Sequence, residues 1–106
     1  MNVLFVCSRN RLRSPTAELV FSGHPGIETD SAGLAPDADV QLDRDQVRWA
    51  DLIVVMEKRH RSALNRRFGR LLAGTRVVCL DIPDNYEFMQ PELIAILERR
   101  MAQYLR

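Results

Sequence analysis

A cysteine and an arginine with five residues between them follow the first apolar run of this 106-residue chain. The run at residues 3–6 (Val-Leu-Phe-Val) is typical of a buried strand, and it ends at Cys7. The serine–proline pair Ser14-Pro15 is typical of the first turn of a helix. Between them lie Ser8, Arg9, Asn10, Arg11, Leu12 and Arg13. The sequence therefore predicts a loop that joins the end of a strand to the start of a helix.

Such a loop has the groups needed to hold an anion of the size of phosphate. Its backbone N–H groups can converge on the anion, and the positive end of the helix dipole adds to them. The Arg13 guanidinium can bind two phosphoryl oxygens at once. The same positive surroundings favour the thiolate form of Cys7, which is the nucleophilic form. We therefore predict a catalytic Cys7 at the floor of a phosphate site that is formed by residues 8–14.

Three apolar runs and one weaker run predict the strands of a sheet. The runs at 3–6, 52–56 and 77–80 lack a two-residue alternation, which is typical of strands buried on both faces of a parallel sheet; the weaker strand falls at 27–31. Helical patterns separate them, so we predict an α/β fold with three αβα layers around a four-stranded parallel sheet, formed as one domain over residues 1–106. In such sheets the active site lies beyond the carboxyl ends of the strands.

Composition narrows the classes of function. The chain is 46% hydrophobic and 27% charged with a net charge of +1, so nothing predicts a membrane protein, and nucleic-acid binding is not expected. Its start has no basic leader, and Cys7 and Cys79 are too few for a disulfide framework, so we expect a cytoplasmic protein with reduced thiols. Neither a metal nor an organic cofactor is expected, since the two cysteines are far from each other and from His24 and His60.

The basic residues are distributed unevenly along the chain. Residues 58–76 contain seven Lys or Arg residues and no Asp or Glu. Such a run is most often a solvated helix face, and His60, which lies within it, is expected to be solvated as well. A binding surface for a phosphoprotein or an RNA is the alternative.

The chain resembles the low-molecular-weight protein tyrosine phosphatase family, whose fold is shared by thioredoxin-coupled arsenate reductases. The resemblance extends in order over most of the sequence. It is carried by residues 3–7, Asn10, residues 13–15, Ala17-Glu18, residues 30–33 (Asp-Ser-Ala-Gly), residues 82–84 (Ile-Pro-Asp) and Tyr86.

The resemblance implies roles for individual residues. Cys7 would attack phosphorus, Arg13 and the loop amides would hold the phosphoryl oxygens, and Ser14 would stabilise the thiolate. Asn10, held by Ser31, would keep the loop in shape. The family takes its general acid from an Asp-Pro-Tyr segment after the last strand; here Asp84 is the candidate, with Asp81 as a rival. Tyr86 would form a wall against an aromatic leaving group.

The chain also departs from the family pattern. Asn85 stands where the family has proline, Leu12 stands where many eukaryotic members have a second cysteine, and only residues 34–51 connect Gly33 to the next strand. We therefore expect a phosphatase that forms a phosphocysteine and acts on phosphomonoesters, with phosphotyrosine on a protein or a small phosphomonoester as substrate and phosphate or sulfate bound in the loop. The alternatives are an arsenate reductase, for which only Cys79 is available as a second cysteine, and a non-catalytic module that binds phospho-ligands.

Overall fold

The computed structural model describes residues 1–105 and contains a four-stranded sheet in which every pairing is parallel. The strand order is β2-β1-β3-β4. The strands are β1 (Asn2–Cys7), β2 (Glu28–Gly33), β3 (Leu52–Val55) and β4 (Arg76–Cys79). The predicted four-stranded parallel sheet is confirmed, and the weak second strand of the sequence pattern is as long as the first.

Four α-helices connect or follow the strands. They are α1 (Arg13–Phe21), α2 (Arg44–Trp49), α3 (Lys58–Phe68) and α4 (Pro91–Met101). The Asp43 side chain caps α2 by accepting a hydrogen bond from the Gln46 N–H at 2.8 Å. After α3 the chain continues as a 3-10 turn, Gly69–Leu72. None of the helices between residues 1 and 105 is long and apolar enough to cross a membrane.

The sheet divides the apolar core into two halves. Val3 and Phe5 of β1 face one half, which α1 and α4 cover, and Leu4 and Val6 face the other, which α2 and α3 cover. All four side chains are fully buried. Because both faces of β1 are covered, its sequence is continuously apolar, as expected for a strand in the middle of a parallel sheet. The three predicted layers are confirmed.

The order of the strands places a crevice at the end of β1. In the sheet, β2 lies on one side of β1 and β3 lies on the other. The helix that leads to β2, α1, and the helix that leads to β3, α2, cover opposite faces of the sheet. At this switch point the loops leaving the carboxyl ends of the strands separate and open a crevice. Residues 8–12 leave β1 here, the Met56-Glu57 connection leaves β3, and residues 80–90 leave β4.

Candidate active site

The loop after β1 has a run of unpaired backbone donors. The carbonyl oxygens of Cys7, Ser8 and Arg9 accept hydrogen bonds from the N–H groups of the segment after β2, at 2.8 to 3.0 Å. By contrast, none of the N–H groups of residues 8–14 has an acceptor within residues 1–105. Buried or half-buried N–H groups are rarely left unpaired, and a run of them at the start of a helix is the arrangement that binds oxyanions.

Gly33, the last residue of β2, allows this loop to lie against the sheet. A Cβ atom at this position would lie 2.6 Å from the carbonyl oxygen of Ser8 and 2.9 Å from the carbonyl carbon of Arg9. These contacts are too short for any side chain, and they involve backbone that cannot move without moving the loop. The Ser-Ala-Gly segment therefore contributes to the site through its glycine as well as through Ser31.

A chain of buried hydrogen bonds leads from Cys7 to a carboxylate. The Cys7 sulfur lies 2.9 Å from the Ser14 hydroxyl. The Asn10 amide donates to the Ser14 hydroxyl at 3.0 Å and to the Ser31 hydroxyl at 2.9 Å, and Ser31 donates to the carboxylate of Glu18. Because Asn10 uses both amide protons on these hydroxyls, the Ser14 hydroxyl proton is left for another acceptor, and the Cys7 sulfur at 2.9 Å is nearer to it than the Ala32 carbonyl oxygen at 3.5 Å.

This network explains why the loop has its shape. Asn10 is buried and has a φ of 57°, a left-handed conformation that asparagine tolerates better than most residues. The resemblance predicted the pairing of Asn10 with Ser31. It did not predict the contribution of Glu18, which fixes the direction of the Ser31 hydroxyl and hence of the whole chain of donors.

The Arg13 guanidinium is anchored through one nitrogen atom, Nη1. Its side chain is almost fully buried, and its Nη1 donates to Glu57 Oε2 and to the carbonyl oxygen of Ile82, both at 2.7 Å. Hydrogen bonds from Arg59 and Arg13 lower the pKa of Glu57 to about 2, so this carboxylate stays charged at neutral pH. On the Nε–Nη2 edge, Asp84 Oδ1 lies 3.6 Å from Nε, beyond hydrogen-bond distance, so this edge can still make the two-point contact that a phosphoryl group accepts.

The prediction that His60 is solvated is wrong. Its ring is 2% exposed and reaches the loop after β1 through a hydrogen bond with Ser8. Nδ1 accepts a hydrogen bond from the Glu57 N–H at 3.1 Å, so in the neutral ring the proton is on Nε2, which donates to the Ser8 hydroxyl at 3.0 Å. His60 thereby orients Ser8 and leaves the hydroxyl proton of Ser8 available to a ligand oxygen.

His60 makes stability depend on pH. Burial, followed by the charges of Arg13 and Arg59, lowers the pKa of His60 from 6.5 to about 4. Between these values the unfolded chain binds a proton that the folded chain does not, so stability falls as the pH falls. We expect this residue to contribute a loss of about 2 kcal/mol in the free energy of unfolding between pH 7 and pH 5.

The measurement is urea unfolding at the two pH values, followed by Trp49 fluorescence, for wild type and His60→Gln. The variant should lose less stability than wild type over this range by about 2 kcal/mol. His24→Gln, which changes the other histidine of the chain, is the matched control. An equal loss of stability in wild type and His60→Gln would contradict the assignment.

The two candidate general acids lie in different places. Asp84 lines the cleft above the loop, and its Oδ1 is 3.6 Å from Arg13 Nε. Asp81 has a φ of 53° and turns away from the loop, so that its carboxylate accepts a hydrogen bond from the Cys79 thiol at 3.4 Å. Of the two, only Asp84 is within reach of a leaving group bound in the cleft.

The cleft contains most of the predicted residues, but not all of them. Its lining consists of Cys7, Ser8, Arg9, Arg11, Leu12, Arg13, Ala35, Arg59 and Asp84. Asn10 and Ser14 were expected to bind substrate; their side chains are buried behind the loop, where they support it. Tyr86 was expected to form a wall, but it packs against the core half beneath α1 and α4 and does not line the cleft. The loop after β4 turns its ring inward.

Ala35 and Arg59 are lining residues that the sequence did not indicate. Both come from segments that the sheet brings to the loop from a distance along the chain. Arg59 lies in the same cleft as Cys7 and Asp84, and its hydrogen bond to Glu57 raises its pKa. Within residues 1–105 no three His, Cys, Asp or Glu side chains come together as a site for a metal ion.

Comparison with solved structures identifies the fold. The tyrosine phosphatase Wzb from Escherichia coli K30, solved in complex with phosphate, matches with a TM-score of 0.79 and 21% identity, covering 98% of this chain and 95% of that one. The YwlE arginine phosphatase from Geobacillus stearothermophilus matches with a TM-score of 0.77 and 23% identity, covering 98% of this chain and 92% of that one. The Erwinia amylovora tyrosine phosphatase AmsI matches with a TM-score of 0.76 and 26% identity, covering 97% of this chain and 89% of that one. No protein-family model and no curated protein sequence matches the chain.

Proposed function

We propose that this chain, which has the fold of the low-molecular-weight protein tyrosine phosphatases, is a cysteine-dependent phosphatase of phosphomonoesters that forms a phosphocysteine at Cys7. The observation that carries the proposal is the run of N–H groups at residues 8–14 without an acceptor within residues 1–105, in the loop that joins the buried Cys7 to Arg13. A binding module would need the anion site, but it would not need a sulfur at its floor with a hydroxyl directed at it.

The reaction proceeds in two displacements. The Cys7 thiolate attacks phosphorus, the phosphorus–oxygen bond to the leaving group breaks, and Asp84 gives its proton to the departing oxygen. Water then attacks the phosphocysteine, Asp84 takes a proton from that water, and the sulfur leaves as thiolate with inorganic phosphate released. The loop N–H groups and Arg13 hold the three remaining phosphoryl oxygens throughout and stabilise the charge of both transition states.

Arginines and one carboxylate line the cleft. Arg9, Arg11 and Arg59 are exposed there beside Asp84, and each arginine is in an ion pair with a carboxylate, that of Asp37, Asp39 and Glu57 respectively. These pairs offset the positive charge, so the charge of the cleft does not select the leaving group. We propose phosphotyrosine on a cytoplasmic protein as the substrate, because the resemblance to the tyrosine phosphatases implies it.

The arsenate reductase alternative requires a second cysteine that can reach Cys7. The register pairs Val6 with Val55 and Val55 with Cys79, so two strand spacings separate Cys79 from β1. That is a Cα separation of about 10 Å, beyond the roughly 7 Å that a disulfide can bridge. Burial also raises the pKa of Cys79, which makes it a poorer nucleophile. The geometry favours hydrolysis.

The first test is hydrolysis of p-nitrophenyl phosphate in the presence of EDTA between pH 5 and pH 7. The proposal expects turnover that is unaffected by the chelator and by Cys79→Ser, with competitive inhibition by vanadate. It also expects free phosphotyrosine to be hydrolysed and phosphoarginine to be a poor substrate. Binding of vanadate without turnover would overturn the proposal and favour a non-catalytic phosphate-binding module.

A further inference from the structure

Two neighbouring depressions beside the catalytic cleft lie along α3 and together form a path. The first, which we call the α3 groove, is lined by Leu34, Ala35, Arg59, Ala63 and Arg66 with Ser8 and His60, and it shares Ser8, Ala35 and Arg59 with the catalytic cleft. The second, which we call the arginine pocket, is lined by Arg44, Arg66, Arg67 and Arg70 around Phe68. Arg66 lines both depressions, so the arginine pocket adjoins the α3 groove, which in turn adjoins the cleft above Cys7.

The spacing of α3 produces this path. Arg59, Ala63 and Arg66 are separated by four and three residues, so they lie on one face of the helix, with a small side chain between two arginines. At 1.5 Å per residue, Arg66 lies about 10 Å along the helix from Arg59. An extended polypeptide covers that distance in about three residues, and it reaches Arg70 in four or five.

The arginines of the pocket have no carboxylates to neutralise them. None of the ion pairs within residues 1–105 includes Arg44, Arg66 or Arg70. Arg67 is held in place, because its Nη1 donates to the Leu34 carbonyl oxygen at 2.8 Å and its guanidinium lies 5.4 Å from the centre of the Phe68 ring. The pocket is therefore cationic, exposed and partly rigid.

The position of this charge indicates the kind of partner. Residues 58–76 hold seven cationic side chains and no acid, while the whole chain has a net charge of only +1, so the rest of the surface carries an excess of negative charge. A long polyanion such as RNA would meet that negative surface beyond the path, and Phe68, with Arg67 over its ring, offers no open platform for base stacking. A short acidic segment would contact only the cationic path.

We propose that the α3 groove and the arginine pocket bind an acidic segment of a phosphoprotein substrate, with acidic residues about three to five positions from the phosphorylated residue. This inference rests on the proposed function and specifies its substrate class. The phosphoryl group lies in the loop above Cys7, the chain runs along α3, and its carboxylates pair with Arg66 and Arg70. The arginines thereby select among phosphoproteins by the sequence around the phosphorylated site.

The test compares three phosphotyrosyl peptides that differ only at those positions, which carry glutamate, glutamine or lysine. We expect kcat/KM for the glutamate peptide to exceed that for the glutamine peptide about tenfold, since two or three exposed charge pairs together contribute that much. The lysine peptide should be the poorest of the three. At about 1 M salt the preference should largely disappear, because charges are then screened within about 3 Å.

Charge-reversal variants locate the preference on the molecule. Arg66→Glu and Arg70→Glu should each bring the glutamate-to-glutamine ratio close to one or invert it. Arg99→Glu is the matched control, because Arg99 is exposed at the end of α4 on the opposite face of the sheet, and it should keep the wild-type ratio. A wild-type ratio near one, or a ratio that Arg66→Glu and Arg70→Glu leave unchanged, would overturn the proposal.

A binding measurement separates this proposal from the proposed function. If p-nitrophenyl phosphate is not hydrolysed, the proposed function fails, and fluorescence anisotropy of the labelled peptides with the Cys7→Ala variant still tests the path. Tighter binding of the glutamate peptide, lost in Arg66→Glu, would support docking without turnover. Equal affinity for the three peptides would overturn the proposal that the path binds an acidic segment. Arg66-dependent binding of an RNA oligonucleotide or of anionic vesicles that is tighter than binding of the glutamate peptide would overturn it as well.

Discussion

Replacing Cys7 with serine should lower the turnover of p-nitrophenyl phosphate by about 10⁴-fold or more. A serine at this position would keep its hydrogen bond to Ser14, but its hydroxyl would need a base to become nucleophilic. The nearest imidazole, that of His60, has its Nε2 proton directed at Ser8 and its Nδ1 occupied by a backbone N–H. The substitution is almost isosteric, so the fold should be kept.

The control for this variant is the binding of inorganic phosphate, measured by calorimetry. Because the loop N–H groups and Arg13 are untouched, Cys7→Ser should bind phosphate with an affinity close to that of wild type. Loss of turnover together with loss of phosphate binding would show only that the loop had collapsed. Turnover within about tenfold of wild type would contradict the role of Cys7 as nucleophile.

Replacing Asp84 with asparagine should have the second largest effect, and its size should depend on the leaving group. General acid catalysis contributes about 10²- to 10⁴-fold when the leaving oxygen is basic. We therefore expect kcat to fall about 10³-fold for phenyl phosphate and much less for p-nitrophenyl phosphate, whose leaving group departs readily without a proton. The measurement is kcat for both substrates.

The matched control is Asp81→Asn, which makes the same chemical change three residues earlier in the same loop. Asp81 contacts Cys79 and lies outside the cleft, so this variant should keep both rates within a few-fold of wild type. The reverse pattern, with Asp81→Asn impaired and Asp84→Asn active, would move the general acid to Asp81. An equal loss for both substrates in Asp84→Asn would indicate a binding role instead.

The parts of the site that are contiguous in sequence could be predicted. Cys7, Arg13 and Ser14 lie in one segment between a strand and a helix, so residue types and spacing are enough to bring Cys7 and Arg13 to one cleft, with Ser14 behind the loop against the Cys7 sulfur. The apolar runs predicted the strands for the same reason, because burial on both faces of a parallel sheet leaves a continuous signature. Asn10 lies in the loop after β1 and Ser31 lies in β2, and the family resemblance indicated that these two distant residues pair.

The residues that the sequence did not indicate reach the site through the tertiary fold. Glu57, Arg59 and His60 follow β3, and only the placement of β3 beside β1 brings them to the loop. His60 lies in a strongly basic stretch that is typical of a solvated helix face, yet in the first turn of α3 its ring is buried while Lys58 and Arg59 are exposed. Tyr86 shows the opposite case. It lies two residues from Asp84 in the sequence, but it is half-buried and packs against the edge of the core instead of lining the cleft.

The central claim is that the phosphoryl group is transferred to the Cys7 sulfur before water releases it. Trapping this phosphocysteine tests the claim most directly. The Asp84→Asn variant, in which the second displacement lacks its base, would be mixed with p-nitrophenyl phosphate and quenched in denaturant within the first turnover. Mass mapping should then find one phosphoryl group on the peptide that contains Cys7, and none in a Cys7→Ala blank. Product release with no phosphoryl group on the chain, or with the group on another residue, would contradict the mechanism.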